Sequence, residues 1–201
     1  MPDASEALAR LDEITRRLRR DCPWDREQDE RSIVPHTVEE AYELADAARS
    51  GDDAKLLDEL GDVLFQVFFL SLLLEERGAG DLAAVADNMR EKLIRRHPHV
   101  FGDVEAATAG EVLRNWGAIK REDERGGEIF GELPETLPAT LLAKKVIKRA
   151  ESAGLEPPAG GGEDIGDRLL LAVREAVDAG VDPELALREA ANRYRRRVEE
   201  S

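Results

Sequence analysis

The sequence predicts an all-α protein, a helical bundle built from antiparallel helix hairpins. Three observations predict this class. Aromatic residues make up 4% of the 201 residues, whereas Ala, Leu, Glu and Arg, which favour helices, are abundant. No stretch alternates clearly between apolar and polar residues, as a half-buried strand would. Turn and capping residues also divide the chain into segments of helical length.

The first helix is predicted over residues 4–20, with an apolar stripe of Leu8, Leu11, Ile14 and Leu18 facing inward. The simplest interpretation of Arg16, Arg17, Arg19 and Arg20 is a solvated edge, and a role near a substrate is the alternative.

The CPWD segment that follows is predicted to be a loop. Pro23 breaks a helix, and Asp25 can cap the next one. Trp24 has two interpretations of equal weight, which are stacking on a nucleotide base and plugging a core.

Four more helices are expected in the first two thirds of the chain. Helices over 37–49 and 54–77 are joined by a short polar turn, so they should form an antiparallel αα-hairpin. A helix over 81–96 is stopped by a His-Pro pair, and another begins at a capping box and covers 108–125. Residues 126–138 contain several Gly and Pro breaks and are interpreted as a linker or an extended arm.

Acidic residues concentrate on the predicted hairpin. Glu39, Glu40 and Glu43 lie on its first helix, and Glu59 and Asp62 lie on its second. Residues three apart share a helix face, so Glu40 pairs with Glu43 and Glu59 with Asp62. The rise per residue places both pairs roughly 8–9 Å from the turn, level with each other. Carboxylates that converge in this way suit Mg²⁺, with Mn²⁺ as the alternative.

A lone E-x-x-E on a helix is usually a solvated acidic face, and the second helix argues against that interpretation here. Its acids share a stripe with Gln66 and Phe69, and the opposite side carries Leu64 and Phe68. A helix that is apolar nearly all round should be central, where unpaired carboxylates are rare. The pattern therefore favours a metal site with Glu40, Glu43, Glu59 and Asp62 as ligands.

These residues resemble the MazG family of all-α nucleoside triphosphate pyrophosphohydrolases. Besides the E-E-x-x-E and E-x-x-D motifs, the sequence contains three further segments in the order typical of this family. They are CPWD at 22–25, ELGDVLFQV at 59–67 and RRHPHVF at 95–101. The resemblance runs from about residue 8 to residue 125. It implies Mg²⁺-dependent hydrolysis of nucleoside triphosphates to monophosphate and pyrophosphate, in a homodimer of helical bundles. Glu39 would then ligate metal, orient water or accept its proton.

Two basic groups complete the expected site. Lys92, Arg95 and Arg96 share one helix face, and Trp116 and Lys120 share another. The ordinary interpretation is a basic helix end that is favourable to the helix dipole. In MazG-like proteins the matching K-x-x-R-R and W-x-x-[IV]-K segments are associated with nucleotide binding. The resemblance therefore assigns these residues to the triphosphate and base, with the role of Arg95 left open.

The last third of the chain resembles a degenerate internal repeat. Residues 164–170 echo 59–65, and residues 192–197 echo 91–96, but no E-E-x-x-E precedes the second copy. The expected organisation is a catalytic domain over 1–125, a linker or arm over 126–138, and a truncated second copy over 139–201 that serves packing or dimerisation.

Composition limits the partners and the location. A net charge of −15 disfavours nucleic acid, which is bound by neutralising its phosphates. The most apolar run is too short to span a membrane. A single cysteine fits a reducing cytoplasm. Two other functions stay open: a narrower relative that cleaves deoxynucleotides or phosphoribosyl-nucleotides, and a non-catalytic, metal-binding helical partner protein.

Overall fold

The computed structural model describes residues 3–125, 128–155 and 164–201. Throughout these residues the secondary structure is helical, which confirms the predicted fold class. The helices are α1 (Ala4–Asp21), α2 (Pro23–Glu27), α3 (Glu30–Ser50), α4 (Asp53–Glu76), α5 (Leu82–Arg96), α6 (Pro98–Phe101), α7 (Ala109–Arg125), α8 (Ala139–Ser152), α9 (Ile165–Asp178) and α10 (Pro183–Glu199). Across the described ranges, no helix has the length and apolar character that a membrane crossing requires.

The chain divides into two compact units, Met1–Leu93 and Ile94–Ser201, with the boundary inside α5. The first unit is organised by the α3–α4 hairpin, which confirms the predicted pairing. Gly51 ends α3 in the left-handed conformation, with φ of 72°. The Asp52 side chain then caps α4 by accepting hydrogen bonds from the backbone N–H groups of Ala54 and Lys55. This left-handed conformation favours glycine, because a residue with a Cβ is strained at such a positive φ even where the surrounding space is open.

The core of the first unit lies on one side of α4. Ile33 of α3 packs against Phe69 and Leu73 of α4, and all three side chains are buried. The opposite side of α4 is open in the single chain, and its exposed residues are Leu57, Leu60, Leu64 and Val67. The expectation that α4 is buried nearly all round is therefore wrong for one chain.

The orientation of α1 also differs from the expectation. Leu8, Ile14 and Leu18 are exposed, whereas Thr15 between them is fully buried. The reason lies in two of the four arginines, since Arg17 and Arg20 are exposed as expected whereas Arg16 and Arg19 are not a solvated edge. Arg16 forms an ion pair with Glu75 at 2.6 Å, and Arg19 forms one with Glu76 at 2.8 Å. Because both glutamates lie at the end of α4, the polar side of α1 faces that end.

The CPWD segment is a short helix and not a loop. Pro23 occupies the first turn of α2, where a proline loses no hydrogen bond. Asp25 is buried within this helix, so it does not cap the next one.

Helix α3 begins earlier than the predicted residue 37. Asp29 and Ser32 form a capping box at its start. Pro35 lies inside the helix and removes one backbone donor. The carbonyl that would have accepted this donor belongs to Arg31, an exposed residue, so water can satisfy it.

The second unit packs α8 against α9 and α10. Its core consists of Ile147, Val173 and Val177. Asp164 caps α9 by accepting a hydrogen bond from the backbone of Asp167.

Candidate active site

Three carboxylates meet on the α3–α4 hairpin. One oxygen each of Glu40, Glu43 and Glu59 lie within 4.8 Å of one another. Glu40 and Glu43 are one turn apart on α3, and Glu59 faces them from α4, where it is buried. Hard oxygen donors at this spacing suit a divalent cation that takes oxygen ligands.

Asp62 lies beside this group without being one of its three members. It follows Glu59 by one turn of α4 and is exposed. Its carboxylate nonetheless interacts electrostatically with the cluster and raises the pKa of both Glu40 and Glu59. Its role as a metal ligand stays a prediction.

The cluster is electrostatically strained without a cation. Burial raises the pKa of Glu40, and the carboxylates of Asp62, Glu43 and Glu59 raise it further. Burial also raises the pKa of Glu59, with Glu43 as the next contribution. Like charges at this separation disfavour simultaneous ionisation, so a cation among them would be stabilising.

A polar contact joins the two helices of the hairpin beside their apolar core. Gln66 of α4 is buried, and its side-chain oxygen accepts a hydrogen bond from the hydroxyl of Thr37 at 3.4 Å. This contact joins the two helices within the segments that carry the acids.

Glu39 and Trp24 lie on the exposed surface of the same unit. Glu39 is 3.9 Å from the His36 ring and outside the group of three oxygens. The ring of His36 also meets Trp24 edge-on at 6.0 Å. Trp24 is 51% exposed, so it does not plug a core, and base stacking stays a prediction. Lys92 is half-buried on α5.

The other predicted nucleotide contacts belong to the second unit. Arg95 donates a hydrogen bond to Asp123 of α7 at 2.9 Å, and the buried Arg96 pairs with the same carboxylate at 3.5 Å. The bond from Arg95 is the main cause that lowers the pKa of Asp123. The cations of Lys120 and Arg96 lie 4.8 and 5.6 Å from the Trp116 ring centre. The arginines thus hold α7 in place, and Trp116 is set among positive charges.

Trp116 and Lys120 line a cavity of about 520 Å³. Helix α8 contributes cations to the same cavity, and sequence reasoning missed them because it treated this segment as packing. They are Lys144, Lys145, Lys148 and Arg149. The signal was present in the KKVIK stretch, where a spacing of three and four residues places lysines on one helix face.

Comparisons with known proteins cover the segment that forms the hairpin. The sequence profile of the MazG nucleotide pyrophosphohydrolase domain matches residues 28–101, a segment that contains α3 and α4. The chain is 34% identical to the nucleoside triphosphate pyrophosphohydrolase of Escherichia coli (strain K12), covering 96% of this chain and 86% of that protein. It is 33% identical to the nucleoside triphosphate pyrophosphohydrolase/pyrophosphatase MazG of Thermotoga maritima, covering 96% and 85%.

Two further proteins are similar. An uncharacterized 26.1 kDa protein of Streptomyces cacaoi is 41% identical over 91% of this chain and 77% of its own length. The crystal structure of a mazG-related protein from Thermotoga maritima superposes with a TM-score of 0.49 at 27% identity, covering 56% of this chain and 98% of that one.

Proposed function

This chain belongs to the MazG nucleotide pyrophosphohydrolase family, and we propose that the acidic cluster of its α3–α4 hairpin holds the metal ion of that activity. The reaction is the hydrolysis of nucleoside triphosphates to nucleoside monophosphate and pyrophosphate, so the chain is a hydrolase acting on phosphoric anhydrides. The observation that carries the metal assignment is the meeting of three carboxylate oxygens within 4.8 Å.

The residues present fit a divalent cation, and we assign Mg²⁺, with Mn²⁺ as the alternative. Glu40, Glu43 and Glu59 supply oxygens from two helices, and Asp62 is the proposed fourth ligand. When bound, such an ion neutralises phosphate charge and makes water a stronger nucleophile. The raised pKa of Glu40 and of Glu59 supports the assignment, because burial and the neighbouring carboxylates outweigh the one positive charge that acts on Glu59, that of Lys55.

The chain's own residues have further proposed roles. Glu39, next to Glu40 and exposed, orients the attacking water or accepts its proton. Lys92, Lys120 and Arg96 stabilise negative charge on the triphosphate. Trp116, with Trp24 as the second candidate, contacts the base.

Homodimer formation is proposed from the open apolar surface of the first unit. The stripe on α4 and the exposed Leu8, Ile14 and Leu18 of α1 leave apolar area uncovered in a single chain. A second copy would cover it, since contiguous apolar surface of this kind marks protein contacts. The proposed domain organisation is a catalytic domain over 1–125, a linker over 126–138 and a truncated second copy over 139–201. The proposed location is the reducing cytoplasm that a single free cysteine favours.

Pyrophosphate release from the eight common triphosphates, with and without Mg²⁺, tests the proposal. Asp62→Asn and Glu59→Gln should each reduce Mg²⁺-dependent turnover to background. Asp87→Asn is the matched control, because Asp87 is an exposed acid of α5 that pairs with Arg90. Near-normal turnover by Glu59→Gln, or by the full chain without a divalent ion, would contradict the assignment. A preference for deoxynucleotides alone would identify the narrower relative.

A further inference from the structure

A cavity of about 530 Å³ in the first unit is lined by four arginines. They are Arg16, Arg19 and Arg20 of α1 and Arg26 of α2. The three on α1 are spaced by three and four residues, so they share one face of that helix. Four guanidinium groups around one cavity stand out in a chain whose net charge is −15.

This cavity is separate from the acidic cluster of the same unit. Its lining residues on α4 are Leu72 and Glu76, near the end of that helix. Glu59 of the cluster lies near the start of α4, roughly 25 Å from Glu76 along the helix axis. A small ligand held by the arginines therefore cannot reach the carboxylates of the cluster.

Two of the four arginines are fixed by the fold. The guanidinium of Arg19 donates to both side-chain oxygens of Glu76 at 2.8 Å and to two backbone carbonyls at α2. Arg16 donates to both side-chain oxygens of Glu75, at 3.0 and 2.6 Å, and to the carboxylate of Asp12 at 2.8 Å. The charges of these two arginines are compensated, and the pairs give the cavity a rigid wall.

Arg20 and Arg26 are not held in this way. Arg26 is exposed, and its side chain makes no hydrogen bond or ion pair with the residues that the structure describes. Arg20 is 69% exposed and pairs with its neighbour Asp21, which is 52% exposed. A pair between two exposed side chains contributes little, so another anion can replace Asp21 at small cost. These two arginines are therefore the groups that a ligand can use.

The lining of the cavity favours phosphoryl groups. A guanidinium binds phosphate oxygens through paired N–H donors, and two such groups on separate helices suit an anion with more than one phosphoryl group. Among the described lining residues there is no aromatic side chain on which a base could stack. Glu76 is the one carboxylate in this set, and Arg19 compensates its charge. An inorganic diphosphate meets these conditions without a nucleoside.

We propose that Arg20 and Arg26 bind inorganic pyrophosphate in this cavity, in front of the fixed Arg16 and Arg19, and that no metal ion is needed. The site lies within the first unit and uses none of the residues assigned to the hydrolysis of triphosphates. The inference therefore goes beyond the proposed function and does not depend on it.

Isothermal titration calorimetry of the full chain with sodium pyrophosphate tests this site. EDTA in the buffer removes metal ions, so the heat reports binding by the protein alone. Arg20→Ala and Arg26→Ala should each raise the Kd about tenfold, which corresponds to about 1.4 kcal/mol. Arg26→Lys should lose less affinity, because it keeps the charge and loses only the paired donors.

Three controls make the result specific. Arg31→Ala should leave the Kd unchanged, since Arg31 is an exposed arginine of α3 outside the cavity lining. Lys92→Ala should also keep the Kd of the parent, because Lys92 belongs to the proposed triphosphate contacts. Orthophosphate should bind more weakly than pyrophosphate, since it has one phosphoryl group. Circular dichroism checks that each variant keeps its helices.

Three results would overturn the proposal. The first is a parent chain that does not bind pyrophosphate in EDTA, and the second is a Kd within twofold of the parent in both alanine variants. The third is a loss of affinity in Lys92→Ala as large as in Arg26→Ala, which would place pyrophosphate at the proposed triphosphate contacts. Turnover is not measured in this titration, so a failure of the proposed function leaves its outcome unchanged.

Discussion

A carboxylate oxygen of Glu43 on α3 lies within 4.8 Å of a carboxylate oxygen of Glu59 on α4. The two carboxylates repel each other, so pairing of α3 with α4 is opposed by electrostatic repulsion. Apolar packing of Ile33, Phe69 and Leu73 beyond the cluster holds the two helices together. The repulsion and its relief by a cation lead to the first two predictions.

Mg²⁺ should stabilise the folded chain. At a hundred times its dissociation constant, an ion that binds only the folded state adds about 2.7 kcal/mol to the free energy of unfolding. Differential scanning fluorimetry with increasing Mg²⁺ measures the rise in Tm. Glu59→Gln should lose most of this rise, and the Asp87→Asn control on α5 should keep it. An equal rise in both variants would mean that Mg²⁺ acts elsewhere.

Without metal, the cluster should make stability fall as the pH increases. The pKa of Glu40 and Glu59 is raised in the folded chain, so between the ordinary glutamate pKa and these raised values the folded state binds more protons than the unfolded state. Stability from these groups is complete below the ordinary pKa and is lost as the pH rises through the folded pKa.

A difference measurement isolates this effect. Urea unfolding in EDTA should show that the advantage of Glu59→Gln over the parent grows from about pH 4 to about pH 7. Glu75 and Glu76, whose pKa is lowered by hydrogen bonds from Arg16 and Arg19, change stability in the opposite sense. Their contribution is the same in both proteins and cancels. A constant advantage across this pH range would argue against mutual repulsion in the cluster.

Arg19→Ala should destabilise the first unit by about 2 kcal/mol without changing turnover by the folded protein. The guanidinium pairs with Glu76 and also donates to the backbone carbonyls of Asp25 and Gln28, so α1, α2 and α4 lose a shared contact. Arg17→Ala on the same helix is the control, because this side chain is 72% exposed and its pair with Asp21 at 3.6 Å should contribute little. If urea unfolding showed the same loss of stability for Arg19→Ala and Arg17→Ala, the contacts of Arg19 would not stabilise the first unit more than an exposed ion pair does.

The double substitution Asp164→Asn with Asp167→Asn should leave both turnover and Mg²⁺ dependence almost unchanged. The side chain of Asp164 caps α9 by accepting from the Asp167 backbone at 3.0 Å, and asparagine can make the same cap. Two carboxylates from one helix would also leave most of a Mg²⁺ shell to water. Steady-state kinetics check this, and a large loss of rate would mean that Asp164 or Asp167 supplies a carboxylate to the reaction.

Sequence patterns predict the parts of this protein that depend on neighbours along the chain. The α3–α4 hairpin follows from its polar turn, and the approach of Glu40, Glu43 and Glu59 follows from helical spacing and equal distances from Gly51. The all-α fold class can likewise be predicted, because amino-acid composition and the helical spacing of apolar residues are properties of neighbouring residues.

Contacts between distant segments are harder to predict. The stripe of Leu8, Ile14 and Leu18 was expected inside, but the pairs of Arg16 and Arg19 with the end of α4 turn it outward. Helical period identifies the faces of a helix without identifying the neighbour of each face. The spacing in KKVIK shows that the lysines of α8 share a helix face, but only the packed structure shows that this face and Trp116 line the same cavity.

Because Gly51 and Asp52 alone join α3 to α4, the acidic cluster assembles as soon as these two helices pair. Closing so short a connection costs little chain entropy, and contacts that are local in sequence tend to form quickly. The charges of Glu43 and Glu59 therefore oppose hairpin formation itself. A divalent cation that bridges the two helices should accordingly speed the folding of the chain as well as slow its unfolding.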